Sequence, residues 1–364
     1  MSFYDVLAAG RKRELASCWQ EVTAQNVRES LGKERPRAED LLALLSPAAG
    51  AFLEEMARRA REITRRQFGQ VIHLYTPLYL ADYCQNSCLY CGFSAANPFP
   101  RRVLSLEEVE REATAISETG IQHVLALTGE SRRHSPPSYI GECVTILRDY
   151  FPSVSAEIYP LTQEEYGELV AAGLDGVTIY QEVYDEEIYR GVHPEGPKKD
   201  FHYRLETPER ICRAGARTIN IGALLGLNSW RSEAFWTARH ADWLQDCFPG
   251  VEVSLSVPRL QPHLGNYTPR SPVSDRELVQ IILAFRIYLP RAGITISTRE
   301  KAVFRDNLVG LGITRMSAGS RTDVGGHAGG DGTKQFEMAD GRNVDQIREM
   351  ILRKGYQPVF RDWA

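Results

Sequence analysis

The stretch "YCQNSCLYCGFS", Tyr83–Ser94, contains three of the seven cysteines of this 364-residue chain, at Cys84, Cys88 and Cys91. Thiols grouped this closely are typical of metal ligands. The other four cysteines stand singly and the total is odd, so we expect no disulfide framework. The stretch comes directly after a predicted strand, which places the three thiols where that strand ends.

The spacing C-x3-C-x2-C narrows the choice of metal. A structural zinc site needs four ligands, usually from two paired motifs. No second C-x-x-C is present, although His73, His123 or His134 could add a ligand. Ferredoxin-type clusters take four cysteines at a different spacing. Three thiolates can hold a [4Fe-4S] cluster and leave one iron open, as a site of chemistry requires. Three unrelated core thiols remain the alternative without a metal.

The sequence on either side alternates between strands and helices. We predict strands at eight apolar runs: 77–81, 121–127, 154–159, 174–180, 217–224, 251–257, 294–298 and 313–317. Helices between them begin at capping boxes, and glycines that follow the helices are expected to end them in the left-handed conformation. The boxes pair Ser105 with Glu108, Thr162 with Glu165 and Ser274 with Glu277; the glycines are Gly120, Gly173, Gly215 and Gly293.

Eight such units favour an α/β fold, a (β/α)8 TIM-type barrel with an N-terminal helical extension. A doubly wound open sheet is the alternative, but no G-x-G-x-x-G opens a helix after the first strand. We expect a helical extension at 1–70, the barrel at 71–320, and a C-terminal loop and helix that closes the barrel at 321–364. Trp230, Trp236 and Trp243 fall in one predicted helix, where we interpret them as packing surface first and as a protein contact second.

The composition is that of an ordinary globular protein, with 43% hydrophobic and 25% charged residues. A net charge of -4 gives no reason to expect nucleic acid or an anionic membrane as a partner. No signal peptide or membrane span is visible, and we therefore expect a cytoplasmic protein.

The cysteine motif, with Tyr90 between its last two cysteines and Gly92-Phe93 after it, resembles the signature of radical S-adenosylmethionine (SAM) enzymes. In that superfamily three thiolates hold a [4Fe-4S] cluster, and the open iron binds the amino and carboxylate groups of SAM. Further motifs follow in the order seen in its aromatic amino acid lyases. They are "LTGES" at 127–131, "IYQEVYDEEIYRGVHP" at 179–194, "HYRLETPERICRAG" at 202–215, "IGALLGL" at 221–227, "STRE" at 297–300, "FRDN" at 304–307, "SAGSRTDVGGH" at 317–327 and the terminal "QPVFRDWA".

The resemblance implies a tyrosine lyase of thiamine thiazole biosynthesis. Such an enzyme would cleave the Cα–Cβ bond of L-tyrosine to 2-iminoacetate (dehydroglycine) and p-cresol, with 5′-deoxyadenosine and methionine as further products. No cysteine follows Cys247, which favours this activity over the hydrogenase-maturation relative and its second cysteine motif. The resemblance also implies a thiazole synthase partner and an electron donor such as flavodoxin or ferredoxin. The alternatives are a tryptophan lyase, a hydrogenase-maturation lyase without its extra cluster, and a non-catalytic zinc-binding scaffold.

The same resemblance assigns residues to the cofactors. Cys84, Cys88 and Cys91 would hold the cluster. The predicted contacts to SAM are Tyr90 in the cysteine motif, Thr128, Gly129 and Glu130 for the methionine amino group, Gln181 and Glu182 for the ribose with Glu157 as a weaker candidate, and Arg204 for the methionyl carboxylate. The strand-end residues among them fall where the active face of a barrel forms.

We predict that Arg299 anchors the carboxylate of the substrate, because a guanidinium matches a carboxylate with two hydrogen bonds. Ser317 and Tyr79 would line the substrate. Arg321 competes with Arg299 for the carboxylate, and His327, where the family more often has tyrosine, is assigned no role. The sequence identifies no base for the phenol proton.

Overall fold

The computed structural model describes residues 2–11, 15–265, 267–330 and 332–361. The last three residues of the terminal motif "QPVFRDWA" lie outside this range. The chain begins with helices: α1 Phe3–Arg11, α2 Leu15–Glu21, α3 Ala24–Gly32, α4 Ala38–Leu45, a 3-10 turn Pro47–Phe52 and α5 Leu53–Phe68. They lie against the barrel mainly through α4 and α5.

Eight parallel strands close into a barrel in chain order, because the first strand pairs with both the second and the eighth. The strands are β1 Val71–Ala81, β2 His123–Thr128, β3 Ser153–Glu157, β4 Gly176–Glu182, β5 Thr218–Ala223, β6 Glu252–Ser256, β7 Gly293–Ile296 and β8 Arg315–Ser317. The predicted TIM-type barrel is confirmed. The domain boundaries proposed within the chain stay a prediction.

Helices cover the outside of the barrel, as right-handed βα crossovers require. They are α6 Leu106–Ser117, α7 Pro137–Tyr150, α8 Gln163–Ala171, α9 Glu186–Val192, α10 Phe201–Leu205, α11 Thr207–Arg213, α12 Trp230–Cys247, α13 Asp275–Tyr288, α14 Ala302–Leu308 and α15 Val344–Arg353. The three predicted capping boxes are present at the starts of α6, α8 and α13. Trp230 and Trp236 of α12 are buried, which confirms their packing role.

Two features differ from the sequence-based expectation. Strand β1 begins at Val71, six residues before the predicted Pro77, and its first residues pair with a short ninth strand, β9 Gln357–Val359, that was not predicted. Gly293 does not have the positive φ predicted for it and begins β7 instead. A Cβ at Gly293 would lie 2.9 Å from the Cβ of Ser254 on β6, so close strand packing is the physical reason for glycine there.

The helices and strands bury one continuous apolar core around the barrel. In the part of the chain that the structure describes, no helix has both the length and the apolar character needed to cross a membrane. The carboxyl ends of the strands form the mouth of the barrel, and the loop after β1 carries the cysteine motif across it.

Candidate active site

The cysteine loop runs from the end of β1 and places Cys84, Cys88 and Cys91 on one open cavity of about 960 Å³. All three are free thiols, and Cys88 is buried. The loop is fixed to the C-terminal loop at Gly92, whose N–H donates to the carbonyl of Gln335 at 3.2 Å. A Cβ at Gly92 would lie 2.3 Å from that carbonyl oxygen, so this close approach requires glycine.

The thiols suit an iron–sulfur cluster chemically. Soft thiolates are the usual ligands of such clusters. Burial raises the pKa of Cys88 to about 12 and that of Cys91 to about 11, which keeps both protonated without a metal at neutral pH. Amide groups approach two of the sulfurs, from Asn86 to Cys84 at 3.6 Å and from Gln335 to Cys91 at 3.9 Å. Three ligands and two donors to sulfur therefore share one cavity.

The predicted methionine contacts lie on the same cavity at the end of β2. Thr128, Gly129 and Glu130 all line it. The Thr128 hydroxyl is buried and finds no hydrogen-bond partner among the described residues. Glu130 accepts a 2.6 Å hydrogen bond from the Asn86 amide, which ties this turn to the cysteine loop. A Cβ at Gly129 would lie 2.3 Å from the Tyr83 carbonyl oxygen, so glycine lets the two loops meet.

Glu182, at the end of β4, is a strained and buried residue in the cavity wall. It has φ of +70°, the one positive φ at a non-glycine position in the described residues. Its carboxylate forms ion pairs with Lys198 Nζ at 2.8 Å and with Arg204 Nη2 at 3.6 Å. Arg204 also donates from Nε to the carbonyl of Tyr180 at 2.6 Å. Backbone strain of this kind persists only where surrounding contacts enforce it.

Gln181 is a predicted SAM contact that does not line the cysteine cavity. It is buried but lines neither the cysteine cavity nor the cavity beside it. Both polar atoms of its side-chain amide are without a hydrogen-bond partner within the described ranges.

Tyr90 lines the cavity between two cysteines and is held by His193. Its hydroxyl lies 2.6 Å from His193 Nε2, and His193 Nδ1 lies 2.8 Å from the Tyr189 carbonyl. Burial lowers the pKa of His193 to about 2, so the ring is neutral. Nδ1 must donate to the carbonyl, and Tyr90 therefore donates its hydroxyl proton to Nε2.

A second cavity, of about 630 Å³, continues from the first into the barrel. Tyr79, Glu157 and Arg299 line both cavities, and Ser317 lines the second. The Tyr79 hydroxyl donates to Gln335 Oε1 at 2.7 Å, and Ser317 Oγ accepts from the Thr298 N–H at 3.1 Å. Burial raises the pKa of Glu157 to about 7 against the opposing effect of Arg299, and Glu182 raises it further.

Arg299 has an aromatic neighbour and, within the described residues, no ion-pair partner. Its guanidinium lies 3.5 Å from the centre of the Phe336 ring. No carboxylate of the described residues lies within ion-pair distance of it, and Glu300, its neighbour in sequence, pairs with Arg259. The competitor Arg321 is exposed and lines neither cavity. Arg299 therefore lies where a substrate in the cavities could contact it, and Arg321 does not.

His327 has a structural contact rather than a place in either cavity. Its Nε2 donates to the Pro77 carbonyl at 2.9 Å, and burial lowers its pKa. The buried Glu112 of α6 accepts from the backbone N–H groups of His327 and Ala328, at 3.0 Å and 2.6 Å. These contacts fix the glycine-rich loop, which runs from Gly319 to Gly332, against the barrel at His327 and Ala328.

The residues that line the cysteine cavity without having been predicted from the sequence include Asn86, Lys198, Gln335 and Phe336. Asn86 lies inside the cysteine motif and could have been noticed there. Lys198, Gln335 and Phe336 lie in connecting loops whose sequences carry no metal or cofactor signal.

The comparisons with known proteins agree with this site. A profile of the Radical SAM superfamily matches residues 78–234, and one of the Biotin and Thiamin Synthesis associated domain matches residues 256–357. The chain is 41% identical over 343 residues to 2-iminoacetate synthase of Escherichia coli (strain K12), covering 94% of this chain and 91% of that protein.

Two solved structures are also similar along nearly the whole chain. The FeFe-hydrogenase maturase HydG of Carboxydothermus hydrogenoformans superimposes with a TM-score of 0.86 and 33% identity, covering 98% of this chain and 82% of that one. Another structure of HydG gives a TM-score of 0.91 and 31% identity, covering 96% of this chain and 79% of that one.

A barrel with three free thiols at its mouth and this superfamily profile defines a radical SAM enzyme, which uses a [4Fe-4S] cluster and SAM. The zinc-scaffold alternative is thereby set aside. Within that class, the chain belongs to the 2-iminoacetate synthase family.

Proposed function

We propose that this enzyme is a tyrosine lyase that cleaves the Cα–Cβ bond of L-tyrosine to 2-iminoacetate and p-cresol for the thiazole of thiamine. The observation that carries the proposal is Arg299, a cation on both cavities without a carboxylate partner in the described chain. The Arg299 guanidinium is partly buried, and an amino acid carboxylate would supply the anion that it lacks. The 41% identity to 2-iminoacetate synthase supports the choice of reaction.

The bound cluster and SAM would supply a 5′-deoxyadenosyl radical, with methionine as the other product of SAM cleavage. The protein would hold the cluster through Cys84, Cys88 and Cys91. Thr128, Gly129 and Glu130 would contact the methionine amino group, and Arg204 the methionyl carboxylate. Their common position on the cysteine cavity supports these roles.

Glu182 is the ribose contact that the geometry favours, because its carboxylate lies on the cavity. Glu157 is a further candidate there. Gln181 would need a change of side-chain position to serve, since it does not line the cavity. Tyr90 would support the cluster loop through its hydrogen bond to His193.

The protein would bind the amino acid in the second cavity. Arg299 would orient the carboxylate, with Phe336 fixing the guanidinium plane. Ser317 and Tyr79 would line the space around the substrate. The loop that carries Gln335 and Phe336 would limit the entry of water, which protects reactive intermediates.

We further propose a thiazole synthase as protein partner, since 2-iminoacetate hydrolyses in water and benefits from direct transfer. A flavodoxin or ferredoxin would supply the electron, and the setting would be cytoplasmic. The bacterial relatives are consistent with the cytoplasmic setting.

Product analysis tests the proposal. Anaerobically reconstituted enzyme with SAM and a reductant should form p-cresol and 5′-deoxyadenosine from L-tyrosine, and no aromatic product from L-tryptophan. Cleavage of tryptophan, or tyrosine left intact beside cleaved SAM, would reject it.

The TM-score of 0.91 to HydG favours a second candidate, a tyrosine lyase of hydrogenase maturation. Complementation separates the two. A thiamine-requiring strain that lacks its own tyrosine lyase should grow with this gene, whereas restored hydrogenase activity without growth would support the maturation role.

A further inference from the structure

Lys198 is a largely buried cation in the wall of the cysteine cavity. Its side chain is 14% exposed, and its Nζ lies 2.8 Å from Glu182 Oε1 and 5.5 Å from the centre of the Tyr90 ring. The same cavity is lined by Cys88 and Cys91. The proposed chemistry assigns Lys198 no task, and the ion pair with Glu182 compensates for the burial of its charge.

The backbone around Lys198 is bonded directly to the cysteine loop. The Lys198 N–H donates to Asn86 Oδ1 at 2.8 Å, and Asn86 lies between the first two cysteines. Gly196 has φ of +92°, and a Cβ there would lie 2.3 Å from the same Asn86 oxygen. The Ser87 N–H donates to the Glu195 carbonyl at 3.2 Å. The backbone that carries Lys198 therefore has a fixed position relative to the cysteine loop.

The cavity is lined by three cations, Lys198, Arg204 and Arg299, and by three carboxylates, Glu130, Glu157 and Glu182. Lys198 Nζ lies 2.8 Å and Arg204 Nη2 lies 3.6 Å from Glu182, so these two cations share one partner. Charges interact strongly across a buried, low-dielectric site. A reduced iron–sulfur cluster carries one more negative charge than the oxidised cluster, and net charge and hydrogen bonds to sulfur set its reduction potential.

We propose that Lys198 raises the reduction potential of the [4Fe-4S] cluster by stabilising its reduced form. The inference rests on the cluster, which all radical SAM enzymes use, and not on the choice of tyrosine as substrate. Lys198 acts through the field at the cluster and is a positioning residue, since no contact with the reacting atoms is needed. The amides of Asn86 and Gln335, which approach two of the sulfurs, act in the same direction.

The test is a redox titration of the reconstituted holoenzyme without SAM, monitored by electron paramagnetic resonance. Lys198→Met should move the midpoint potential to more negative values, because it removes the charge and keeps much of the side-chain volume. Lys198→Arg, the matched control, should stay close to the wild type. Iron content is measured in each variant, so that potentials are compared at full cluster occupancy.

Glu182→Gln tests the same electrostatic effect by removing a negative charge from the cavity wall instead of a positive one. It should move the potential to more positive values, and the double variant Lys198→Met/Glu182→Gln should return towards the wild type. If Lys198 only orients Glu182 for SAM, Lys198→Met will weaken SAM binding and leave the potential of the SAM-free enzyme unchanged, which overturns the proposal. If Lys198→Met does not hold its iron, an unmoved potential in Glu182→Gln overturns it.

Discussion

Arg299 and the arginines that support the barrel mouth differ in their partners. Arg204 and Arg259 are paired with carboxylates, whereas Arg299 lies on the Phe336 ring and faces the cavities. A paired arginine holds the wall together, and an unpaired one is available to a ligand.

Arg299→Ala should therefore abolish tyrosine turnover and leave the cluster and reductive cleavage of SAM largely intact. The guanidinium would form two hydrogen bonds with the carboxylate, and charged hydrogen bonds contribute ~1.5–3 kcal/mol each. The value of kcat/KM for tyrosine should therefore fall by about 100-fold or more. Parallel assays of p-cresol and 5′-deoxyadenosine measure the two outcomes. Arg321→Ala, at an exposed position outside both cavities, is the control, and normal tyrosine binding in Arg299→Ala would place the anchor elsewhere.

Glu157 provides a test through pH. Its pKa rises from the ordinary value of 4.5 to about 7, because burial outweighs the effect of Arg299. Between these two pH values the unfolded chain releases the proton and the folded protein keeps it, so stability is lost as pH rises towards 7. Glu157→Gln removes this loss.

The stability gained by Glu157→Gln should increase between pH 5 and pH 7.5, measured by denaturant unfolding of the cofactor-free protein. Glu118→Gln, at an exposed position, controls for the removal of one charge. A gain that stays constant across this range would contradict the assigned burial of the Glu157 charge.

The residues that sequence could identify are those whose signal is local. The three cysteines are recognisable because their spacing lies within one loop. Gln335 approaches Cys91 from 244 positions away, and only the folded barrel brings them together. Lys198 is likewise a loop residue until the structure shows its contact with Glu182.

At the scale of the elements, capping boxes and the alternation of strands were predictable because both depend on neighbouring residues. The start of β1 and the short β9 were not, since each depends on pairing with a distant segment. Gly293 shows the same limit. Its small size serves the approach of β6, and this purpose cannot be read from the adjacent helix.

The glycine-rich loop carries the prediction that belongs to this scale. Glu112→Ala removes the acceptor of two backbone N–H groups and should cost about 1–3 kcal/mol of local stability for each donor left buried. Hydrogen exchange of residues 322–336 should become faster, and tyrosine turnover should fall as Gln335 and Phe336 lose their positions. Glu110→Ala on the exposed face of the same helix is the control, and unchanged exchange in Glu112→Ala would show that other contacts hold the loop.

At the scale of the whole molecule, one barrel carries two adjoining cavities at its mouth. All eight strands of the barrel are parallel, so their carboxyl ends meet at one mouth, and predicted site residues lie there at or just after the ends of β1, β2, β3, β4, β7 and β8. The cysteine cavity and the second cavity are continuous, and Tyr79, Glu157 and Arg299 line both of them. This continuity is what would allow a radical formed at the first cavity to reach a substrate held in the second.

Isotope labelling tests this account most directly. The reconstituted enzyme, supplied with uniformly carbon-13-labelled L-tyrosine, should yield p-cresol that carries the ring and Cβ carbons. The carboxyl and Cα carbons should appear in 2-iminoacetate or its hydrolysis product glyoxylate. Mass spectrometry that finds the label divided at any other bond, or no labelled p-cresol while SAM is cleaved, would contradict a tyrosine Cα–Cβ lyase.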